Sequence, residues 1–127
     1  MIHLDTSAMV GALAGPQLLL PAVMNTIDSD QGLGWCSIVV YEWLRGPRTP
    51  MELQGQRILF PFESALPFEA EDAEIAAKLY RSVRRPRTRE ADLAIAACAI
   101  RRDAVLWTLN PADFADIPGL KLYHPKV

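Results

Sequence analysis

The sequence has few of the residues that common disulfide, metal and nucleophile sites require. Its two cysteines, Cys36 and Cys98, stand in separate apolar segments, with no CxxC pair and no histidine at ligand spacing. This pattern excludes a zinc site of the usual kind, and we expect both thiols to be reduced and buried in a cytoplasmic protein. His3 and His124 each stand alone, and the chain has no glycine-rich phosphate loop. Catalysis by a histidine, a serine nucleophile or a phosphate loop is therefore not predicted.

The chain also lacks a long uninterrupted hydrophobic segment and a large excess of charge. Its most apolar stretch, residues 7–24, is interrupted by Gly15-Pro16 and Pro21 and has no Lys or Arg before it. That favours a soluble core over a signal peptide or a membrane span. The net charge is -2, but five of the ten arginines fall between Arg81 and Arg89. Without repeats or linkers, the 127 residues predict a single domain over residues 1–127.

Apolar segments of strand length alternate with helical patterns along the chain. Residues 37–45 fit a helix that Ser37 caps, but the β-branched run at 38–40 fits a strand equally well. Alternation of this kind predicts an α/β fold, with a mainly parallel sheet of four or five strands and helices on both faces. Strands are predicted at 2–4, 33–37, 65–68, 104–108 and 121–125, and helices at 7–14, 17–30, 50–60, 69–85 and 89–102.

Asp92 is a carboxylate in a segment that is otherwise built for burial, ADLAIAACAI at residues 91–100. A buried, isolated charge is costly unless it is paired, protonated or bound to a metal. Its partner is either an arginine just upstream, such as Arg89, or a cation that it shares with other carboxylates. Alanines at 94, 96, 97 and 99 let this helix lie close to the sheet, which would fix the orientation of Asp92.

Further acidic residues fall where a parallel sheet places its ligands, at the carboxyl ends of strands. Asp5 follows the first strand, and Glu42 follows the second by about two helical turns. Asn110 and Asp113 follow the strand at 104–108. Because Mg²⁺ and Mn²⁺ prefer carboxylate oxygens, these residues and Asp92 are candidates to hold one or two such ions.

Each of these acids also has a purely structural interpretation. Asp5 is placed to cap the helix that follows, although Thr6 or Ser7 can cap it instead and leave Asp5 free. A lone Glu42 is typical of a solvated or arginine-paired surface group. Residues 110–113 fit an Asx-type turn.

Four segments carry a resemblance to a known family. They are LDTS (4–7), SIVVYEWLRG (37–46), ADLAIAACAIRR (91–102) and TLNPADFADIPGLKL (108–122). Together they resemble a PIN-domain ribonuclease, and most closely a VapC-type toxin of a type II toxin-antitoxin system. The resemblance spans nearly the whole chain and implies a PIN-like three-layer α/β/α domain. It also implies a catalytic set of Asp5, Glu42, Asp92 and Asp113, of which the first three bind the metal.

The same resemblance implies an activity and its partners. The activity is that of a Mg²⁺-dependent endoribonuclease, with Mn²⁺ able to substitute, which cleaves an RNA such as tRNA or rRNA. A metal-activated water would attack the phosphodiester and leave a 5′-phosphate and a 3′-hydroxyl. The implied partners are a cognate antitoxin, the RNA substrate and a second copy of the chain, in the cytoplasm and away from membranes.

Polar and basic residues near these acids are candidates for supporting roles. The candidates for orienting the ligands or a phosphate are Thr6, Ser7, Thr108 and Asn110. The candidates for binding RNA phosphates are Arg84, Arg85, Arg87 and Arg89, although a basic cluster is by default a solvated surface. We interpret Asp116 as part of a turn, and the acidic run at 69–74 as the N-terminus of a helix.

Two other functions stay open on the residues alone. One is a PIN-like module that binds RNA or protein without cutting. The other is an unrelated α/β Mg²⁺ phosphohydrolase with Asp5 as its nucleophile. Such enzymes usually have a second aspartate two residues later, and this chain has Ser7 there.

Overall fold

A parallel four-stranded sheet lies at the centre of the computed structural model, which describes residues 1–125. The strands are β1 (Ile2–Leu4), β2 (Leu33–Trp35), β3 (Val105–Trp107) and β4 (Lys121–Leu122). Their order is β2-β1-β3-β4, and every neighbouring pair is parallel. The predicted α/β fold with a parallel sheet is confirmed. Because crossovers between parallel strands are right-handed, the connection from β1 to β2 and the return from β2 to β3 place helices on opposite faces.

Within residues 1–125, six α-helices surround the sheet. They are α1 (Thr6–Leu13), α2 (Leu20–Ile27), α3 (Ser37–Arg45), α4 (Pro50–Leu59), α5 (Ala70–Ser82) and α6 (Glu90–Arg101). Short 3₁₀ turns lie at Phe62–Ser64, Pro86–Thr88 and Pro111–Asp113. Across residues 1–125, no helix combines the length and the apolar character needed to cross a membrane.

The segment after β2 is a helix and not a strand. Helical spacing puts Val39 and Trp43 on one face, and both are fully buried in α3, which outweighs the β-branched run. Helix α2 is shorter than the predicted 17–30, and it cannot begin at Gln17, whose φ of 53° is left-handed.

The strand predicted at 65–68 is wrong. Only Leu66 forms a single parallel bridge, to Cys36 at the end of β2. Pro67 follows at once and has no amide hydrogen, so a longer ladder cannot continue there.

The hydrophobic core lies on both faces of the central strands. Ile2, Leu4 and Leu106 are essentially inaccessible to solvent, and Trp43 and Trp107 fill the largest volumes around them. Three of the five alanines of α6, at 96, 97 and 99, are fully buried, which brings that helix close to its neighbours. The core therefore fixes α6 and, with it, the position of Asp92 at its start.

Asp72 is a fully buried carboxylate that joins α5 to the end of α6. It accepts hydrogen bonds from Arg101 Nε at 2.5 Å, from Arg102 at 3.0 Å and from the Glu69 backbone N–H at 2.8 Å. Burial alone would raise the pKa of Asp72, but these donors outweigh it and hold the pKa below its ordinary value. Glu69 and Asp72 also form a reciprocal cap at the start of α5, so the acidic run serves that helix end.

We expect Asp72→Asn to lower the free energy of unfolding by about 3 kcal/mol, as for other broken buried ion pairs whose cations stay partly exposed. Urea unfolding at neutral pH measures the loss, with the exposed Glu71→Gln as the control. Because the pKa of Asp72 is lowered in the native state, its stabilisation is present at neutral pH and is lost as pH falls through that pKa. Equal stability of the two variants at pH 7 would show that this cluster does not hold α5 to α6.

Candidate active site

The strand order places a crevice at the carboxyl ends of β1 and β3, where the connections leave in opposite directions. Asp5 follows β1 directly, and its backbone N–H donates to the Trp107 carbonyl at 3.0 Å, which joins the ends of the two strands. Asp5 is only 4% exposed. Asp5 is thus a buried carboxylate at the sheet edge where such folds bind ligands.

Asp5 caps α1, so of the two alternatives left open by the sequence, the one in which Thr6 or Ser7 caps this helix is wrong. The Ala8 backbone N–H donates to Asp5 Oδ1 at 2.9 Å, and the Ser7 hydroxyl donates to the same oxygen at 2.7 Å. Burial raises the pKa of Asp5, and the negative charge of Glu42 adds to the effect. Both short hydrogen bonds end on Oδ1, so capping occupies one oxygen of the carboxylate and is compatible with a ligand role for the other.

Glu42 is held in place from two sides and is not a freely solvated group. Thr6 Oγ1 donates to Glu42 Oε1 at 2.5 Å, and Arg45 pairs with Oε2 at 3.2 Å. The Glu42 side chain is 13% exposed. The bond from Thr6 joins α1 to α3 and holds Oε1 of Glu42 in place.

Asp92 lies in the first turn of α6 among charges of its own sign. Burial raises the pKa of Asp92 to about 6, and the charges of Glu42, Asp5 and Asp113 contribute in the same direction, while Arg89 opposes them. No cationic side chain within residues 1–125 lies close enough to Asp92 to form an ion pair. The structure thus brings Asp92 near the other three acids without an arginine partner.

Arg89, the arginine that sequence reasoning offered to Asp92, is engaged elsewhere. Its guanidinium pairs with both carboxylate oxygens of Asp116, at 2.9 and 2.6 Å. Sequence reasoning missed this use of Asp116, and a separation of 27 residues leaves no local signal for it. For Glu42 the structure confirms the arginine-paired alternative, with Arg45 as the partner at i, i+3 spacing.

The loop after β3 is held against α1 by hydroxyl groups. Ser7 Oγ lies 3.3 Å from Thr108 Oγ1 and accepts from the Leu109 backbone N–H at 2.9 Å. The Asn110 backbone N–H donates to Thr108 Oγ1 at 3.0 Å. Ser7 and Thr108 therefore fix the loop that carries Asn110, whose side chain is exposed at the rim.

A cleft of about 460 Å³ opens beside Asp92. Asp113 and Asp116 line it from the loop after β3, and Arg84, Arg85, Thr88 and Arg89 line it from the segment between α5 and α6. Arg84 and Arg85 are exposed, whereas the Arg89 side chain is only 16% exposed. Arg87 is exposed but lies outside this lining. The cleft therefore combines three acids, of which Asp116 is paired with Arg89, and two accessible cations.

The donor set fits a hard divalent cation by its chemistry. Its members are carboxylates, whose oxygens Mg²⁺ and Mn²⁺ prefer, and three of them raise the pKa of the fourth. No three acidic, histidine or cysteine side chains of residues 1–125 lie close enough together to enclose an ion as they stand. The contacts of Glu42 with Thr6 and Arg45, and of Asp5 with the Ala8 backbone N–H, hold these two carboxylates in their present positions.

The family model for the PIN domain matches residues 2–120, and the chain belongs to this family. Curated protein sequences gave no significant match. Among solved structures, the chain resembles VapBC2 of Rickettsia felis bound to a promoter DNA fragment, with 23% identity, a TM-score of 0.74 and coverage of 97% of this chain and 98% of the other. DNA-bound VapBC of Salmonella typhimurium has 21% identity, 96% coverage of both chains and a TM-score of 0.75. FitAcB of Neisseria gonorrhoeae has 20% identity, 98% coverage of both and a TM-score of 0.72. At these identities the structural likeness is one of fold.

Proposed function

We propose that this PIN domain is a Mg²⁺- or Mn²⁺-dependent endoribonuclease and the toxin of a toxin-antitoxin pair. The observation that carries the proposal is the environment of Asp92, a half-buried carboxylate near Asp5, Glu42 and Asp113 that forms no ion pair with an arginine of residues 1–125. Asp92 lies at the edge of the sheet where such folds bind ligands, and a cation bound there would offset its charge. Membership of the PIN family supports the same conclusion.

The residues at this site would have different roles. Asp5, Glu42 and Asp92 would hold the metal, and Asp113 would add a fourth carboxylate from the opposite wall of the cleft. Thr6 and Ser7 keep Glu42 and Asp5 in fixed orientations through their hydroxyls. When bound, the metal supplies an activated water and neutralises charge on the phosphate during in-line attack. Arg84 and Arg85, on the accessible side of the cleft, would bind the flanking phosphates.

Incubation of the purified protein with total RNA and with tRNA, in Mg²⁺ or in EDTA, tests the proposed activity. We expect cleavage in Mg²⁺ or Mn²⁺, and none in EDTA or with Asp92→Asn. Asp30→Asn, an exposed aspartate between α2 and β2, is the control and should cleave as the wild type does. Equal cleavage by wild type and Asp92→Asn would contradict the proposal.

Binding of RNA in the cleft has its own salt-dependent test. Arg84→Ala with Arg85→Ala is expected to weaken binding of a catalytically inactive protein to single-stranded RNA. The slope of log affinity against log salt should fall by roughly 0.7 for each lost phosphate contact. Fluorescence anisotropy over a salt series measures this slope, and Arg57→Ala on the exposed face of α4 is the matched control. A slope that the double variant leaves unchanged would remove these two arginines from the RNA site.

We propose that the antitoxin binds an apolar groove between α1, the segment that follows it and the loop after β3. The groove has a volume of about 400 Å³, and its lining includes Val10, Ala14, Leu18, Leu19 and Leu109. Leu18 is 83% exposed and Leu109 is 50% exposed. Leu109 stands between Thr108 and Asn110, so a partner that covers it with apolar side chains would also cover the rim of the site.

The structures from Rickettsia felis and Salmonella typhimurium are toxin-antitoxin complexes, which supports the toxin assignment. We also propose a cytoplasmic homodimer, for which light scattering should give twice the mass of one chain. Expression of the chain alone is expected to arrest bacterial growth, and Asp92→Asn should relieve the arrest. Growth unaffected by the wild-type chain would argue against a toxin.

A PIN-like module that binds without cutting is the second candidate. It is favoured by the protein contacts that already occupy oxygens of Asp5 and Glu42. Titration of the metal-free protein with Mn²⁺ by calorimetry separates the two candidates. A binding isotherm that Asp92→Asn abolishes supports the nuclease, and an isotherm that is absent in the wild type supports the binding module.

A further inference from the structure

Arg89 joins the two segments that form opposite walls of the acidic cleft. Its side chain donates to both carboxylate oxygens of Asp116, at 2.9 and 2.6 Å, and to the Asp113 carbonyl at 2.9 Å. A fourth bond, at 3.0 Å, reaches back to the Arg84 carbonyl. The first three acceptors lie in the loop after β3, and the fourth lies in the segment between α5 and α6.

This bonding leaves Arg89 little capacity for RNA. Each terminal nitrogen of a guanidinium carries two hydrogens, and each of these nitrogens makes two of the four hydrogen bonds. The Arg89 side chain is only 16% exposed. The same contact holds the pKa of Asp116 below its ordinary value and raises that of Arg89, as expected for a committed ion pair.

The position of Arg89 makes this bonding relevant to the acidic site. Arg89 is the residue before α6, three positions ahead of Asp92, and Asp113 is its neighbour across the cleft. Between Arg84 and Arg89 the backbone turns through Arg85, whose φ of 50° is unusual for a side-chain-bearing residue. The bond to the Arg84 carbonyl braces this turn, so one guanidinium sets both the width of the cleft and the placement of Arg84 and Arg85.

We propose that Arg89 is a positioning residue, and that with Asp116 it forms a latch holding Asp113 opposite Asp92 and the 84–88 segment at the cleft. Arg89 then contributes to turnover through the geometry of the site and not through contact with substrate. For its kinetic readout the proposal rests on the nuclease activity proposed above. A lysine at this position supplies one point charge and cannot span the four acceptors.

Steady-state kinetics separate a latch from an RNA contact, because the two roles predict opposite effects for Asp116. As a latch, Arg89→Met and Asp116→Asn should each lower kcat by about ten- to hundredfold with little change in KM, as seen when outer-shell partners of a metal site are removed. Arg89→Lys should be intermediate, and the double variant should be no worse than the more impaired single variant. As an RNA contact, Arg89→Met would weaken RNA binding and reduce its salt slope, whereas Asp116→Asn would free a cation and tighten binding. That second pattern would overturn the proposal.

Amide hydrogen exchange provides a readout that needs no activity. The backbone N–H groups of Thr88 and Asp113 are hydrogen-bonded within the two latched segments. Both segments should exchange faster in Arg89→Met and in Asp116→Asn, and at wild-type rates in Arg57→Met. If wild-type protein cleaves no RNA, the proposed function fails, but the exchange result still decides the latch. Exchange rates unchanged in either segment would overturn it.

Discussion

Asp92→Asn should cleave RNA at least about a hundredfold more slowly than the wild type. In the absence of metal, it should also unfold at a higher temperature. A lost metal ligand removes several kcal/mol of transition-state stabilisation, and about 1.4 kcal/mol corresponds to a factor of ten in rate. The stability gain arises because asparagine keeps the shape of the side chain and removes a charge that Glu42, Asp5 and Asp113 disfavour. Opposite signs for activity and stability are typical of a functional site.

The pH dependence of stability checks the same assignment. Burial and neighbouring acids raise the pKa of Asp92 from 3.8 to about 6. The native state therefore binds this proton more tightly than the unfolded state does. The contribution of Asp92 to stability is largest below pH 3.8, falls as pH rises and becomes a full penalty above pH 6. After discounting for solvent screening of a half-exposed group, we expect about 1 kcal/mol between pH 4 and pH 7.

Thermal unfolding of metal-free protein across this pH range measures the effect. In Asp92→Asn the unfolding temperature should fall less between pH 4 and pH 7 than in the wild type. In the exposed control Asp30→Asn it should fall as much as in the wild type. Added Mg²⁺ should stabilise the wild type and leave Asp92→Asn unchanged. A variant less stable than the wild type at neutral pH, without metal, would mean that Asp92 has a favourable partner in the fold.

Asp5→Asn and Asp5→Ala are expected to be equally inactive but to differ in stability. Asparagine is as good an N-cap as aspartate, so it keeps the bond from the Ala8 backbone N–H and loses only the charge. Alanine loses both and should cost about 1 kcal/mol more in unfolding free energy. Cleavage should fall by at least about a hundredfold in each, because both lack the carboxylate ligand.

Urea unfolding and RNA cleavage, measured on the same preparations, distinguish the cap from the ligand. Substantial activity in Asp5→Asn would show that Asp5 serves only as a helix cap. Equal stability of the two variants would show that the bond to Ala8 contributes little to α1.

The sequence was sufficient to place Asp5 and Asp92 at one edge of the sheet, because their placement depends on strand order and not on the conformation of the loops. Asp5 follows β1, and Asp92 opens the helix that packs behind β3 with its alanine face. Parallel strands bring their carboxyl ends to one edge of the sheet, so these two residues lie at that edge independently of the loop conformations. The position of Glu42 was harder to predict, since residues 38–40 fitted a strand as well as a helix. In the fold, Val39 and Trp43 are buried on one face of α3, and this tertiary packing favours the helix.

Arg89 shows what sequence reasoning could not supply. An arginine three residues before an aspartate is a plausible ion pair by spacing alone, and a basic cluster is a plausible RNA site by charge alone. The fold brings Asp116 within reach from the loop after β3, and its bidentate contact takes the guanidinium away from both roles. Such long-range pairing depends on loop geometry, for which single-sequence patterns give no signal.

The oxygen source of the new phosphate tests the central claim, hydrolysis by a metal-activated water, most directly. RNA cleaved by the wild-type protein in heavy-oxygen water with Mg²⁺ should carry one heavy oxygen in a 5′-phosphate, next to a 3′-hydroxyl on the other product. The labelled product should be absent with EDTA and with Asp92→Asn. A 2′,3′-cyclic phosphate without label, or cleavage that persists in EDTA, would contradict the account.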